Sequence, residues 1–367
     1  MIEATAAADA RPHLRELFPE DLLRLPGAGD LTLTHARRIF SHAVGKGRDD
    51  LEVLHPLARR ISRAVLAATR QDPIEEVSRE RASDGFVKFG FRLGDGAVIE
   101  TVLIPLTGEK FSICISSQVG CALACAFCAT GLMGAGRNLE PWEMVEQVVR
   151  VRAVAPGRVS GAVFQGMGEP FLNYDAVIRA ARLLSHPSMG AISGKAITIS
   201  TAGLVPQIER YTREGHPYRL SVSLSAARPD VRRRIMPIEN TWPLPRLMEA
   251  VRAHQKARGG RINLAYVMIA GVNTGPEDAE ALGRLLEGLP TRLNLIAMNP
   301  IGNGMDRPRR GELAEFLERV RALGIPVVRR YSGGEEVNGA CGMLGLSQLR
   351  SAADSIPQSP ALPPSRP

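Results

Sequence analysis

Between positions 51 and 68 the apolar residues Leu51, Val53, Leu54, Leu57, Ile61, Val65 and Leu66 recur at helical spacing, interrupted by Pro56. The chain to about Arg70 therefore reads as helical. Two strand-like runs follow at 85–93 and 97–105, and the turn Gly94-Asp95-Gly96 between them predicts a β-hairpin. From 111 onward, short apolar runs (111–116, 160–165, 196–200, 219–224, 262–269, 292–298 and 325–330) alternate with longer amphipathic stretches (141–154, 174–184, 206–214, 244–257, 276–287 and 311–323). Repeated β-then-α predicts a parallel sheet with helical crossovers, and this many units predicts a barrel or part of one. The last stretch, Ser351 to Pro367, carries five prolines and four serines and is expected to be disordered. The expected organisation is an α/β protein with a helical domain at 1–80, a linking hairpin at 81–106, a core at 107–348 and a disordered tail at 349–367.

Composition narrows this little. Hydrophobic content of 44% and a mean hydropathy of −0.05 describe an ordinary soluble globular chain. No run approaches the roughly 18 uninterrupted apolar residues of a membrane span. Residues 1–11 lack a charged segment leading into an apolar one, so no export signal and a cytoplasmic location are expected. A net charge of +8 suits a polyanionic partner such as RNA. The basic residues are almost all arginine, though, and nucleotide bias in the gene would give the same excess.

Cysteine usage changes the picture. Four of the five cysteines fall at 114, 121, 125 and 128, and the fifth is Cys341. An odd total without an export signal argues for metal or redox chemistry over a disulfide framework. Unusual residues also follow the predicted strands: the cysteine loop after the first, Gly166-Met167-Gly168-Glu169 after the second, Ser200 and Thr201, then Ser223 and Ser225, then Asn299. In a parallel barrel these positions share one rim, where active sites are built.

Cys121, Cys125 and Cys128 form CxxxCxxC. Three thiolates on a short loop can hold three irons of a 4Fe-4S cluster and leave the fourth iron open to S-adenosylmethionine (SAM). A structural zinc site is the alternative, with Cys114 as a fourth ligand, although that spacing is unlike paired knuckles. The motif, with Phe127 before its last cysteine, resembles the radical SAM superfamily. Its neighbourhood resembles the RlmN/Cfr-type radical SAM RNA methyltransferases over about residues 30–345. The matching segments are Cys114-Ile-Ser-Ser-Gln-Val-Gly-Cys121, Gly166-Met-Gly-Glu-Pro-Phe-Leu-Asn173, Ser200-Thr-Ala-Gly203, Ser223-Leu-Ser225, Met298-Asn-Pro300 and Ala340-Cys-Gly342.

The resemblance implies a partial (β/α) radical SAM barrel, a 4Fe-4S cluster on Cys121, Cys125 and Cys128, and SAM contacts from Gly168, Glu169, Ser200, Ser223, Leu224, Ser225 and Asn299. It implies adenine carbon methylation with two SAM per turnover. Cys341 would take a methyl group from one SAM by thiolate attack. A radical derived from the second would remove a hydrogen from that methyl, and the carbon radical would add to the adenine ring. Cys114 would release the product through a transient disulfide with Cys341. Glu100 matches a family proton acceptor. Without the family, an isolated strand Glu such as Glu100 is more often a solvated outward side chain, and a lone Cys among small residues such as Cys341 is usually a buried core thiol.

The implied substrate is carbon 2 of an adenosine in 23S ribosomal RNA, with transfer RNA as a second substrate and carbon 8 as the variant position. An electron donor such as a flavodoxin or ferredoxin, and a monomeric enzyme, follow from the same likeness. Three departures stand out: Ser225 where the family usually has His, Gly333 where it has a basic residue, and Met343 where it has Gln. Arg232-Arg233-Arg234, Arg307, Arg309, Arg310, Arg329 and Arg330 read as phosphate grips or as solvated charges. Two rival readings are an RNA-binding or redox-sensing protein with a structural cluster, and a radical SAM enzyme acting on a small molecule.

Overall fold

The computed structural model describes residues 9–55, 57–188 and 192–354. The N-terminal part holds helices α1 (Pro19–Leu22), α2 (Leu33–Phe40) and α3 (Arg59–Ala68). The single run read at 51–68 is split into a 3-10 turn at Leu51–Val53 and α3. Leu14, Ile39, Leu51, Ile61 and Val65 give this module a core of its own.

Ten strands form one sheet in chain order: β1 (Glu75–Arg81), β2 (Val87–Arg92), β3 (Val98–Pro105), β4 (Lys110–Ile115), β5 (Arg158–Phe164), β6 (Ile197–Thr201), β7 (Arg219–Ser223), β8 (Ile262–Met268), β9 (Thr291–Ala297) and β10 (Val327–Arg329). Pairing is antiparallel from β1 to β4 and parallel from β4 to β10. The two strands read as a linking hairpin, β2 and β3, are thus hydrogen-bonded into the main sheet. Strand ends pair β4 to β3 and β10 to β9, so among the described residues the parallel part is an open barrel. Its strands alternate: on β9, Leu293 and Leu295 are fully buried on one face, while Arg292 and Asn294 on the other line a polar cavity with Ser221 of β7 and Asn263 of β8.

The covering helices are α4 (Ala129–Leu132), α5 (Pro141–Val154), α6 (Tyr174–Leu184), α7 (Val205–Glu214), α8 (Pro229–Ile235), α9 (Leu244–Arg258), α10 (Pro276–Leu286), α11 (Arg310–Ala322) and α12 (Leu346–Asp354). Local sequence explains their limits. Pro141 opens α5 behind a Glu140/Glu143 capping box, and Gly215 closes α7 in the left-handed region. The tail expected to be disordered from 349 is helical through Asp354, because Leu346 packs into the core; the rest of that tail lies outside the described residues.

The N-terminal module docks on α5 and α6. His13 stacks on Trp142 with ring centroids 4.2 Å apart, and Arg179 of α6 donates to the Glu16 carbonyl. Arg15 is buried with its Nη1 3.0 Å from Glu146 Oε2. No helix among the described residues is long and apolar enough to cross a membrane.

Candidate active site

Two cavities open at the C-terminal ends of the parallel strands, and Cys341 belongs to the wall of both. The first is lined by Cys121, Cys125 and Cys128 on one side and by Gly168, Glu169, Ser200, Ser223 and Asn299 on the other. The second is lined by Cys114, Phe86, Arg330 and Tyr331, and shares Cys128, Gln165, Gly166 and Gly342 with the first.

The cysteine loop is shaped by backbone contacts. Cys121 N–H donates to the Gly134 carbonyl (2.7 Å) and Ala126 N–H to Ile235 at the end of α8 (2.9 Å). Ala129 N–H donates to the Gly342 carbonyl at 2.7 Å, and Thr130 Oγ1 to that of Leu344 at 2.7 Å. The loop is therefore knitted to the segment carrying Cys341. All five cysteines are free thiols, so the Cys114–Cys341 disulfide expected in turnover is absent from this state. Burial pushes Cys121 up to about 12 and raises Cys125 and Cys128 as well. Such thiols are neutral until an electropositive ligand displaces their protons. Among the described residues no three His, Cys, Asp or Glu side chains are grouped closely enough to hold a metal ion, the three thiols of this loop included.

Across the cavity, Gly168 has φ +96, and a Cβ there would sit 2.5 Å from Gln118 Cβ, so only glycine fits this turn. Glu169 is buried; its carboxylate accepts from Phe171 N–H (2.9 Å) and Ala202 N–H (2.8 Å). Burial outweighs these bonds and pushes its carboxyl up to about 7. Asn299 donates to Ser332 Oγ and to the Cys341 carbonyl, at 2.8 and 2.9 Å.

Not every expected residue joins the site. Leu224 and Ser225 are fully buried and line neither cavity. Ser225 sits at φ +53, with its amide bonded to the Ala265 carbonyl and its Oγ without a hydrogen-bond partner. Glu100 is not a solvated strand residue. It is buried on β3, where Oε2 accepts from Gly345 N–H at 2.8 Å and Oε1 lies 3.5 Å from Lys88 Nζ. Burial raises its pKa, with Lys88 opposing, and it lines neither cavity.

Arg232 is not a surface phosphate grip either. It is fully buried, pairs with Glu239 at 2.7 Å, and donates to the carbonyls of Leu224 and Ala202 at the ends of β7 and β6. Arg307 is engaged with Glu335. Cys114 on β4 faces Cys341 in the second cavity. Burial, reinforced by Cys341, pushes it up to about 12, while the Arg330 guanidinium acts the other way.

Sequence reading missed Gln165, Ser332, Phe86 and Tyr331. Gln165 directly follows β5, a rim position that could have flagged it. Gln165 Oε1 accepts from Arg330 at 3.2 Å, joining the ends of β5 and β10 across the mouth of the barrel.

Comparison with known proteins agrees with this geometry. Residues 115–286 match the Radical SAM superfamily model. A probable RNA methyltransferase of Anaeromyxobacter sp. (strain Fw109-5) is 49% identical over 89% of this chain and 98% of its own. A dual-specificity RNA methyltransferase RlmN of Anaeromyxobacter dehalogenans (strain 2CP-C) is 37% identical over 96% of this chain and 98% of its own. The crystal structure of a radical SAM methyltransferase from Sphaerobacter thermophilus superposes with a TM-score of 0.84 at 37% identity, covering 91% of this chain and 99% of that one.

Proposed function

The chain belongs to the radical SAM RNA methyltransferases of the RlmN type, and from that premise we propose that it methylates a ring carbon of adenine through an S-methylated Cys341. The substrate we infer is carbon 2 of an adenosine in 23S ribosomal RNA, with transfer RNA as a second substrate, acted on in the cytoplasm. The observation that carries this reading is the position of Cys341 in the wall between a three-thiol cavity and the cavity of Cys114.

The residues present fit the family's cofactors. Cys121, Cys125 and Cys128 are three half-buried thiols on one cavity wall, facing the backbone turn at Gly168 and the polar groups of Glu169, Ser200, Ser223 and Asn299. When bound there, a 4Fe-4S cluster and SAM supply the methyl group and the one-electron chemistry that activates it.

The chain's own work lies with its thiols and Glu100. Cys341 accepts and carries the methyl group as a thioether. After carbon–carbon bond formation, Cys114 attacks the Cys341 sulfur. An S–S bond forms, the bond from Cys341 sulfur to the transferred carbon breaks, and its electron pair passes to that carbon, which takes up a proton. Arg330 favours the Cys114 thiolate needed for this attack. Glu100 would remove the ring proton, which requires the turn at Gly345 to open, because that amide covers its carboxylate. The N-terminal module, resting on α5 and α6, would engage RNA beside the barrel.

Nucleoside mass spectrometry of ribosomal and transfer RNA, from cells with and without the gene, tests the proposal. Loss of one methyladenosine that co-elutes with the 2-methyl standard is expected. Co-elution with the 8-methyl standard would move the reaction to the variant position, and unchanged nucleosides in both RNAs would refute RNA methylation.

A further inference from the structure

Tyr331, at 70% exposure, stands out among the large apolar and aromatic side chains of the surface. It is also held in place. Its hydroxyl donates to Asp84 Oδ2 at 2.9 Å, and the same oxygen accepts from Gly334 N–H at 2.9 Å. Its ring meets Phe86 edge-on, with centroids 6.3 Å apart. Ser83 adds two hydrogen bonds to Glu336, at 2.9 Å from its amide and 2.6 Å from its hydroxyl. The turn between β1 and β2 therefore clamps the segment that leads from β10 to Cys341.

Phe86 fills the space in front of Gly333. A Cβ on Gly333 would lie 2.3 Å from Phe86 Cε2, so position 333 cannot carry a side chain while the ring stays where it is. Both aromatic rings face the second cavity, whose other walls include Val102, Ile104 and the thiols of Cys114, Cys128 and Cys341. Ser332 Oγ accepts from Asn299 and from Cys341 N–H, which leaves its own proton to donate.

An exposed ring, restrained at its tip over an apolar slot that ends in a reactive thiol, has the properties of a stacking surface for a nucleobase. Bases taken out of a stack are held by aromatic faces and read by a few polar groups at their edges. We propose that Tyr331, braced by Phe86 and Asp84, is the platform on which the extruded target purine stacks at the mouth of the cavity between Cys114 and Cys341. Cys341 then divides the methyl-donor side from the methyl-acceptor side. This deepens the proposed RNA methylation and rests on it.

The test uses the Cys114→Ala enzyme, purified anaerobically with its cluster, supplied with SAM, a one-electron reductant such as dithionite, and total RNA from cells lacking the gene. That variant should accumulate a denaturation-resistant RNA–protein adduct through Cys341. Adding Tyr331→Ala should lower adduct yield at sub-saturating RNA about ten-fold, within the range of a lost base–aromatic stack. Peptide mass spectrometry should still find S-methyl Cys341. Tyr331→Phe, which keeps the ring, should restore the adduct. Undiminished adduct in the Tyr331→Ala background would overturn the platform alone. A Phe variant as weak as the Ala variant would also overturn it, since the Asp84 tie and not the ring would then carry the effect. No adduct from Cys114→Ala itself would overturn the methylation reading, and the platform with it.

Discussion

Asn299 Nδ2 lies 2.9 Å from the carbonyl oxygen of Cys341, so a residue just past β9 holds the backbone of a thiol carried by a loop beyond β10. The same amide reaches Ser332 Oγ at 2.8 Å, and that oxygen accepts from Cys341 N–H at 3.3 Å. Asn299 thus holds the Cys341 carbonyl directly and its amide through Ser332.

Replacing Asn299 by Ala should remove two hydrogen bonds, each worth about 1 kcal/mol. We expect Cys341 methylation to slow by roughly 5- to 30-fold. Hydrogen exchange in the peptide around 338–345 should rise, while iron content stays unchanged. Unaltered exchange in that peptide would contradict the tethering role.

The three thiols of the first cavity should behave as a unit. Replacing Cys121, Cys125 or Cys128 by Ala should abolish iron–sulfur absorbance and about four irons per chain in anaerobic preparations. Cys114→Ala and Cys341→Ala should retain both. Stoichiometric zinc in place of iron, after anaerobic purification, would count against the cluster.

Cys341 and Cys114 should fail in different ways. Wild-type enzyme should carry an S-methyl group on Cys341 and on no other cysteine, as peptide mass spectrometry would show. Cys341→Ala should abolish methyl transfer without trapping RNA. Cys114→Ala should trap RNA as an adduct that nuclease treatment collapses. Normal turnover of the Cys114 variant would refute its resolving role.

Arg232 and Glu239 form a fully buried pair at 2.7 Å. Arg232→Met leaves the Glu239 carboxylate without its cation and should cost about 3–5 kcal/mol. Chemical denaturation would measure this. Arg232→Met combined with Glu239→Gln should recover part of the loss. An effect on RNA affinity without an effect on stability would instead restore Arg232 as a phosphate contact.

His13 should make the fold sensitive to acid. Burial lowers its pKa from 6.5 to about 4. Its ring stacks on Trp142, and Nδ1 accepts from Arg15 N–H, which assigns the proton to Nε2 facing the Asp72 carbonyl. With the folded pKa below the unfolded one, the unfolded chain binds the extra proton first. Stability is therefore retained above pH 6.5 and lost as pH falls toward 4, by up to about 3 kcal/mol from this residue. His13→Asn should flatten that part of the profile. Trp142 fluorescence in a Trp242→Phe background would report it, and an unchanged slope would exclude His13 as a source.

Local pattern made most of the barrel legible. Each parallel strand is a short apolar run and each crossover an amphipathic one, so seven strands and six helices appear within a few residues of where the chain reads them. CxxxCxxC is equally local, because its three thiols share one loop. β1 was illegible because Glu75–Arg81 is exposed along its length and charged, and only pairing with β2 makes it a strand. Arg232 sits in a run of three arginines, and nothing in the run says which one turns inward to Glu239.

What the sequence determined by itself was the periodicity of the βα units, and with it the rim on which the conspicuous residues fall. Which rim residues meet was a matter of tertiary structure. Cys114 and Cys341 share a cavity because the open barrel brings β4 and the segment after β10 to the same mouth. Ser225 has the right position in the chain, but bonding of its backbone to Ala265 turns it away from the cavity. Phe86 and Tyr331 lie at opposite ends of the sheet order, and only curvature of that sheet sets one ring against the other. Periodicity is written in neighbours along the chain, whereas a site assembled across a barrel depends on closing long loops, which no local pattern encodes.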